Sequence, residues 1–195
     1  MASIIKKSII TLIFVAVVAC IAYAASWMNG APAGGGDVTT QAAALIKAGK
    51  SAEAAALLED AFQKQKGDEN LAIMLASVYA NSKNFAKAEQ TYKEALAANP
   101  SSSRAYLGLG MLALKQSNVA GAIQNFTAAM KAEPRNPDPY FQMGNMALGS
   151  NQLSVAMGFY QKALAVDKEH QPTLAILARI RQAADKARTA QTAKP

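Results

Sequence analysis

A chain of 195 residues that is 51% apolar can bury a real core, and its abundant alanine, with little β-branched sequence after residue 25, favours helix over strand. The net charge of +7 does not mark a nucleic-acid binder. Between Asp37 and His170 thirteen Lys or Arg stand against twelve Asp or Glu, so the excess lies at the two ends, and no aromatics interleave the basic C-terminal residues as a stacking platform requires. The single cysteine, Cys20, excludes a disulfide framework or a thiolate metal site within one chain.

The first predicted element follows Lys6 and Lys7. From Ser8 to Ser26 nineteen residues carry no formal charge, and as a helix rising about 1.5 Å per residue they approach the thickness of a bilayer's hydrocarbon core, with Trp27 at the interface. No basic residue follows until Lys47, so the positive-inside bias places the rest of the chain outside the cytoplasm. Three fates are open for this segment (residues 1–27): an uncleaved membrane anchor, secretory cleavage after Ala22-Tyr23-Ala24, or lipidation of Cys20 within Val17-Val18-Ala19-Cys20, which resembles a lipoprotein box. Residues 28–36, with Pro32 and Gly34-Gly35-Gly36, break any helix and read as a flexible tether.

Beyond the tether the chain aligns with itself at a shift of 34 residues. Tyr106, Leu109, Gly110, Ala122, Phe126, Ala129 and Pro134 form one set; Tyr140, Met143, Gly144, Ala156, Tyr160 and Ala163 follow it, and Ala72, Leu75, Ala76, Ala88, Tyr92, Ala95 and Pro100 precede it. Small residues at Gly110, Ala122 and Ala129 let two antiparallel helices approach, while Tyr106 and Phe126 fill the space between neighbours. Pro100 and Pro134 end the second helix of their units.

This pattern resembles the tetratricopeptide repeat. The resemblance implies an all-α protein, a right-handed superhelical solenoid of about four helix-turn-helix repeats near 35–68, 69–102, 103–136 and 137–170. A weaker first unit carries Leu45, Ala54, Leu58 and Ala61 and departs from the pattern at Gln41 and Lys66, as a terminal repeat facing water tolerates. In the last repeat Lys168 replaces the proline. Residues 171–187, with Leu174, Leu177, Ala178 and Arg181 at helical spacing, read as a capping helix, and 188–195 as a disordered basic tail.

The resemblance also implies a mode of action: the first helix of each pair lines a concave surface that binds a peptide or a protein partner. The positions available to a ligand are Asn70, Ile73, Ser77 and Ala80, then Arg104, Leu107, Met111 and Leu114, then Asp138, Phe141, Asn145 and Leu148. Leu107, Met111, Phe141 and Leu148 would form an apolar strip suited to an amphipathic helix or apolar peptide, with Arg104, Asp138 and Asn145 orienting it. The clamp that grips C-terminal carboxylates in this family needs Lys, Asn and Arg where this chain has Ile73, Ser77, Gly108, Asp138 and Gln142, and only Arg104 fits.

Catalysis is disfavoured by inventory. His170, the one histidine, falls at a repeat boundary, Cys20 lies in the apolar segment, and no phosphate loop or metal motif is present, so neither a cofactor nor a small-molecule substrate is expected. The sequence thus points to a scaffold or assembly factor of a bacterial inner membrane, attached through residues 8–26, with its repeats in the periplasm. The alternatives are a lipidated or secreted factor for pilus or outer-membrane assembly, and a regulatory subunit of a membrane enzyme.

Overall fold

A computed structural model describes residues 37–192. The apolar segment 8–26, Cys20 and the tether 28–36 lie outside the described residues, as do 193–195. Among the described residues there are nine helices and no strands: α1 Val38–Lys47, α2 Ser51–Lys64, α3 Glu69–Asn81, α4 Phe85–Ala98, α5 Ser103–Lys115, α6 Val119–Ala132, α7 Pro137–Gly149, α8 Leu153–Val166 and α9 Gln171–Thr192. No helix among them is long and apolar enough to cross a membrane.

The 34-residue period is visible in the backbone itself. The second helices α4, α6 and α8 end at Ala98, Ala132 and Val166, in one register, although only the first two are followed by proline. Where Lys168 stands in for it, Asp167 makes the stop: its carboxylate accepts from the Glu169 amide at 2.9 Å, as the Asn99 side chain accepts from Ser101 at 3.1 Å. The turn inside each pair uses a left-handed residue, Gly49, Lys83, Ser117 and Asn151, at φ of 75°, 61°, 59° and 58°. Three of these carry a Cβ in a region that penalises it. Ser117→Gly is therefore expected to raise stability by about 0.5–1 kcal/mol, the relief of strain exceeding the extra freedom of the unfolded glycine. A urea titration in which Ser117→Gly lowers the midpoint would count against this reading.

The first helices α3, α5 and α7 each begin on a side-chain cap, again at one register position. The Asp68 carboxylate accepts from the amides of Asn70 and Leu71 at 2.8 and 3.1 Å, Ser102 Oγ from Ala105 at 3.1 Å, and Asn136 Oδ1 from Asp138 at 3.0 Å. The same register position before α9 holds His170, which bonds side chains instead of a backbone amide. Its ring bridges Thr173 Oγ1 through Nδ1 at 2.7 Å and Asp138 through Nε2 at 3.1 Å, and sets its edge against Phe141 at 5.5 Å between centroids. The residue is only 8% exposed, so it ties α9 to α7. His170→Ala is expected to cost about 1–3 kcal/mol by leaving Thr173, itself fully buried, without that partner. A chemical melt unchanged by the substitution would show that α9 is held by its apolar face alone.

Packing runs between sequence neighbours: α3 against α4, α5 against α6, α7 against α8, and each pair against the next. The close approach within a pair is made by glycine. A Cβ built on Gly110 or Gly144 would fall within 3.0 Å of ring carbons of Phe126 or Tyr160, both of which have no exposed surface. Ala76 sits in the same register, in one cluster with Tyr92. α9 packs Ile176, Leu177 and Ile180 over Ala147, Ala156 and Tyr160. It does not stop at Ala187 but runs as helix to Thr192, because Ala183 to Ala187 contains strong helix formers and nothing that ends a helix.

Candidate functional site

The largest set of sequence-predicted binding residues gathered in one place lies where α3, α5 and the start of α7 face the same side. Ile73 and Ser77 of α3, Arg104, Leu107 and Met111 of α5, and Asp138 of α7 line one open cleft of about 520 Å³. Met111 is 43% exposed and stands at its centre in the chain register. Gly108 belongs to the same wall: a side chain there would overlap the phenol of Tyr92, so its absence lets α5 lie directly on α4.

Hydrogen bonding explains why Met111 is left free while its counterparts are not. In two repeats the ninth residue of the first helix bonds the aromatic of its own second helix. Ser77 Oγ lies 3.0 Å from the Tyr92 hydroxyl, and the Tyr160 hydroxyl donates to Asn145 Oδ1 at 2.9 Å. In the middle repeat the aromatic is Phe126, which has no hydroxyl, and the ninth residue is Met111. Burial pushes the phenols of Tyr92 and Tyr160 up from their ordinary value, so both stay neutral and able to donate at physiological pH. Ser77 and Asn145 therefore serve the fold as well as the surface.

The charged rim is partly engaged. Arg104 Nη1 donates to Asn70 Oδ1 at 2.7 Å, from one first helix to the next, so the exposed Asn70 positions the guanidinium. Behind them the Ser102 hydroxyl and Asn99 amide donate to Glu69 and hold its carboxyl below the usual range, with a smaller contribution from the charge of Arg104. Asp138 is half exposed and bonded to His170. The loop between α6 and α7 completes the cleft with Glu133, Arg135 and Asn136, and Pro137, the first residue of α7, joins them; none of the four is in the sequence-based set. That set was drawn from first helices only, and the signal missed was that each inter-repeat loop lies beside the next first helix.

The remaining predicted positions lie elsewhere. Phe141 and Leu148 pack on the cluster that also holds Ile176, Leu177 and Ile180 of α9, and Phe141 contacts both Tyr160 and His170 through its ring. Leu107 and Leu114 share their surface with the cluster of Ala113, Ala122 and Phe126, and Ala80 is buried. The twelfth position thus turns toward the core in all three repeats, because it lies one turn beyond the ninth on a helix already leaning on its partner. Among the described residues no group of His, Cys, Asp and Glu is placed to hold a metal ion.

Comparison with known proteins agrees with this geometry. Sequence profiles described as tetratricopeptide repeat match residues 45–112 and 107–171. No curated protein sequence matches the chain. Among solved structures, a crystal structure of MamA superposes with a TM-score of 0.56 at 17% identity, covering 68% of this chain and 77% of that one. A MamA fragment from Desulfovibrio magneticus RS-1, residue 41 to the end, gives 0.55 at 21% identity, covering 80% and 88%. At these identities the likeness is one of fold. Profile, period and packed helix pairs together place the chain in the tetratricopeptide-repeat family.

Proposed function

We propose that this chain is a membrane-tethered scaffold that holds a peptide or amphipathic helix of a partner protein in the cleft of its first helices, outside the cytoplasm. The observation that carries the binding reading is the cleft itself. Two successive first helices contribute Ile73, Leu107 and Met111 as an apolar floor, with Arg104 and, from the next first helix, Asp138 at its edge. Such a floor suits apolar side chains projecting from one face of a helix, and a thioether adapts to their shape. Tethering rests on the sequence: the uncharged run 8–26 behind Lys6 and Lys7. Val17 to Cys20 supports lipid attachment as the alternative form of that tether, and the intact mass of the protein isolated from membranes separates an uncut chain, a cleaved chain and a lipidated one.

The binding reading is tested by placing a photocrosslinking amino acid at Met111 and, separately, at Ile123, which is 43% exposed on the second helix α6. Position 111 should capture a partner that is then identified by mass spectrometry and shown to bind the purified full chain. Equal capture of the same protein from position 123, or a captured protein with no affinity for the purified chain, would defeat the proposal.

A further inference from the structure

The second helices keep the 34-residue register as the first ones do, and the space between successive second helices can be compared position by position. Where α2 and α4 face each other the chain forms an open groove of about 540 Å³ and lines it with a complete set of charged partners. The Tyr79 phenol donates to the Glu59 carboxylate, while Lys87 Nζ lies 5.0 Å from the centre of the Tyr79 ring and 3.5 Å from Glu59. Every lysine of these two helices has a carboxylate on one of them: Lys64 pairs with Asp60, Lys87 with Glu59 and Lys93 with Glu89.

Two periods along, the same positions on α6, α7 and α8 carry different chemistry. Tyr79 becomes Ala147, Glu59 becomes Thr127, Lys87 becomes Val155 and Thr91 becomes Phe159. The ring and the carboxylate are gone, and Val155 stands 48% exposed. Neither α6 nor α8 contains Asp or Glu, and Lys131 and Lys162 are their only charged residues. Both occupy groove positions, because their counterparts Gln63 and Glu94 line the groove between α2 and α4. Lys162 Nζ lies 5.6 Å from the centre of the Phe159 ring, and neither lysine is in an ion pair among the described residues. The carboxylates that follow these helices, Glu133 and Asp167, stand at the register of Gln65 and Asn99, which lie outside that lining, and Glu133 lines the cleft of the first helices instead.

From this we infer that the groove between α6 and α8 docks an acidic amphipathic peptide of a partner protein, at a surface separate from the cleft of the first helices. The partner supplies what the chain itself provides between α2 and α4. An aromatic side chain takes the place of the Tyr79 ring, over the small Ala147 and beside Val155 and Phe159, where it buries apolar surface on both helices. Carboxylates to either side of it take the place of Glu59 and Asp60 and pair with Lys131 and Lys162. A second copy of the same face would set lysine against lysine, so the charges select a partner of the opposite sign.

The probe is a displayed library of alanine-based helical peptides randomised on one face and selected on the purified full chain. Selection should enrich an aromatic with Asp or Glu one turn to either side. By anisotropy, a labelled synthetic copy of such a peptide should lose at least about tenfold in affinity when Lys131→Glu and Lys162→Glu are combined, and a copy with its acids exchanged for lysine should bind that variant again. Val155→Glu should abolish binding, while Met111→Glu should leave it unchanged, which separates this groove from the cleft. All four replaced residues are exposed, so circular dichroism melts of the variants should match that of the parent. Failure to enrich any peptide, or binding indifferent to the lysine reversals, overturns the inference. So does an enriched set that Met111→Glu removes entirely, because those peptides would sit in the cleft, and so does lysine-dependent adsorption to phosphatidylglycerol vesicles by a chain that ignores the peptides.

Discussion

Phe126→Ala is expected to cost about 3–5 kcal/mol, enough to unfold the middle of a domain of ordinary stability. The ring has no exposed surface and fills the gap that Gly110 leaves between α5 and α6, in a cluster with Ala113 and Ala122. Its small neighbours Gly110, Ala113 and Ala122 have no rotamers to move inward, so any relaxation into the void falls to Leu107, Leu114, Met143 and Met146 at the edge of the cluster. The same geometry predicts the reverse error. Gly110→Leu drives a side chain into the Phe126 ring and should cost about 1–3 kcal/mol or more. Because the two residues share one space, they should not act independently: Gly110→Ala combined with Phe126→Leu should recover part of what either loses alone. Denaturant melts of the two single variants and the double one measure this coupling directly. Strict additivity would mean that the ring and the glycine do not compete for the same volume.

Met111→Glu should do the opposite, leaving the fold intact and removing the partner. The side chain is 43% exposed, so its effect on stability should stay within about 0.5 kcal/mol. Seating an apolar partner surface over a carboxylate should weaken binding by about 2 kcal/mol or more, near a thirtyfold change in Kd. Phe141→Glu is the informative contrast. Phe141 packs against Tyr160 and His170, so a carboxylate there should loosen α9 and lower the melting midpoint along with binding. Binding that survives Met111→Glu in a folded chain would move the contact surface out of the cleft.

The repeat was legible because a solenoid writes its packing in a period. Once Tyr92, Phe126 and Tyr160 are seen 34 residues apart, the small residues facing them can be read off, and the helix ends at Ala98, Ala132 and Val166 follow. Less legible was the use of a position by two masters. Ser77 and Asn145 look like groove residues by spacing, yet each bonds the tyrosine hydroxyl behind it. The clue was present: the ninth residue is polar where the aromatic is tyrosine and apolar where it is phenylalanine. His170 read only as a boundary residue, although it continues the series Asp68, Ser102 and Asn136. Its ring bonds side chains where those residues cap a backbone amide, and its reach to Asp138 and Phe141 depends on how α9 lies over α7, which no local pattern specifies. The apolar strip is shorter than the spacing suggests, since Phe141 and Leu148 pack on the cluster of Ala147, Ala156 and Tyr160.

That each helix leans on its sequence neighbours bears on how the chain is made. The pairs α3 with α4, α5 with α6 and α7 with α8 each close through one short turn, and the links between pairs, residues 99–102 and 133–136, are nearly as short. Little loop entropy has to be surrendered before a contact repays it, so the repeat region should fold fast for its length, in milliseconds or less. A chain of this kind needs no distant segment to complete a core. It can accumulate structure as it emerges, each pair providing the surface on which the next one settles.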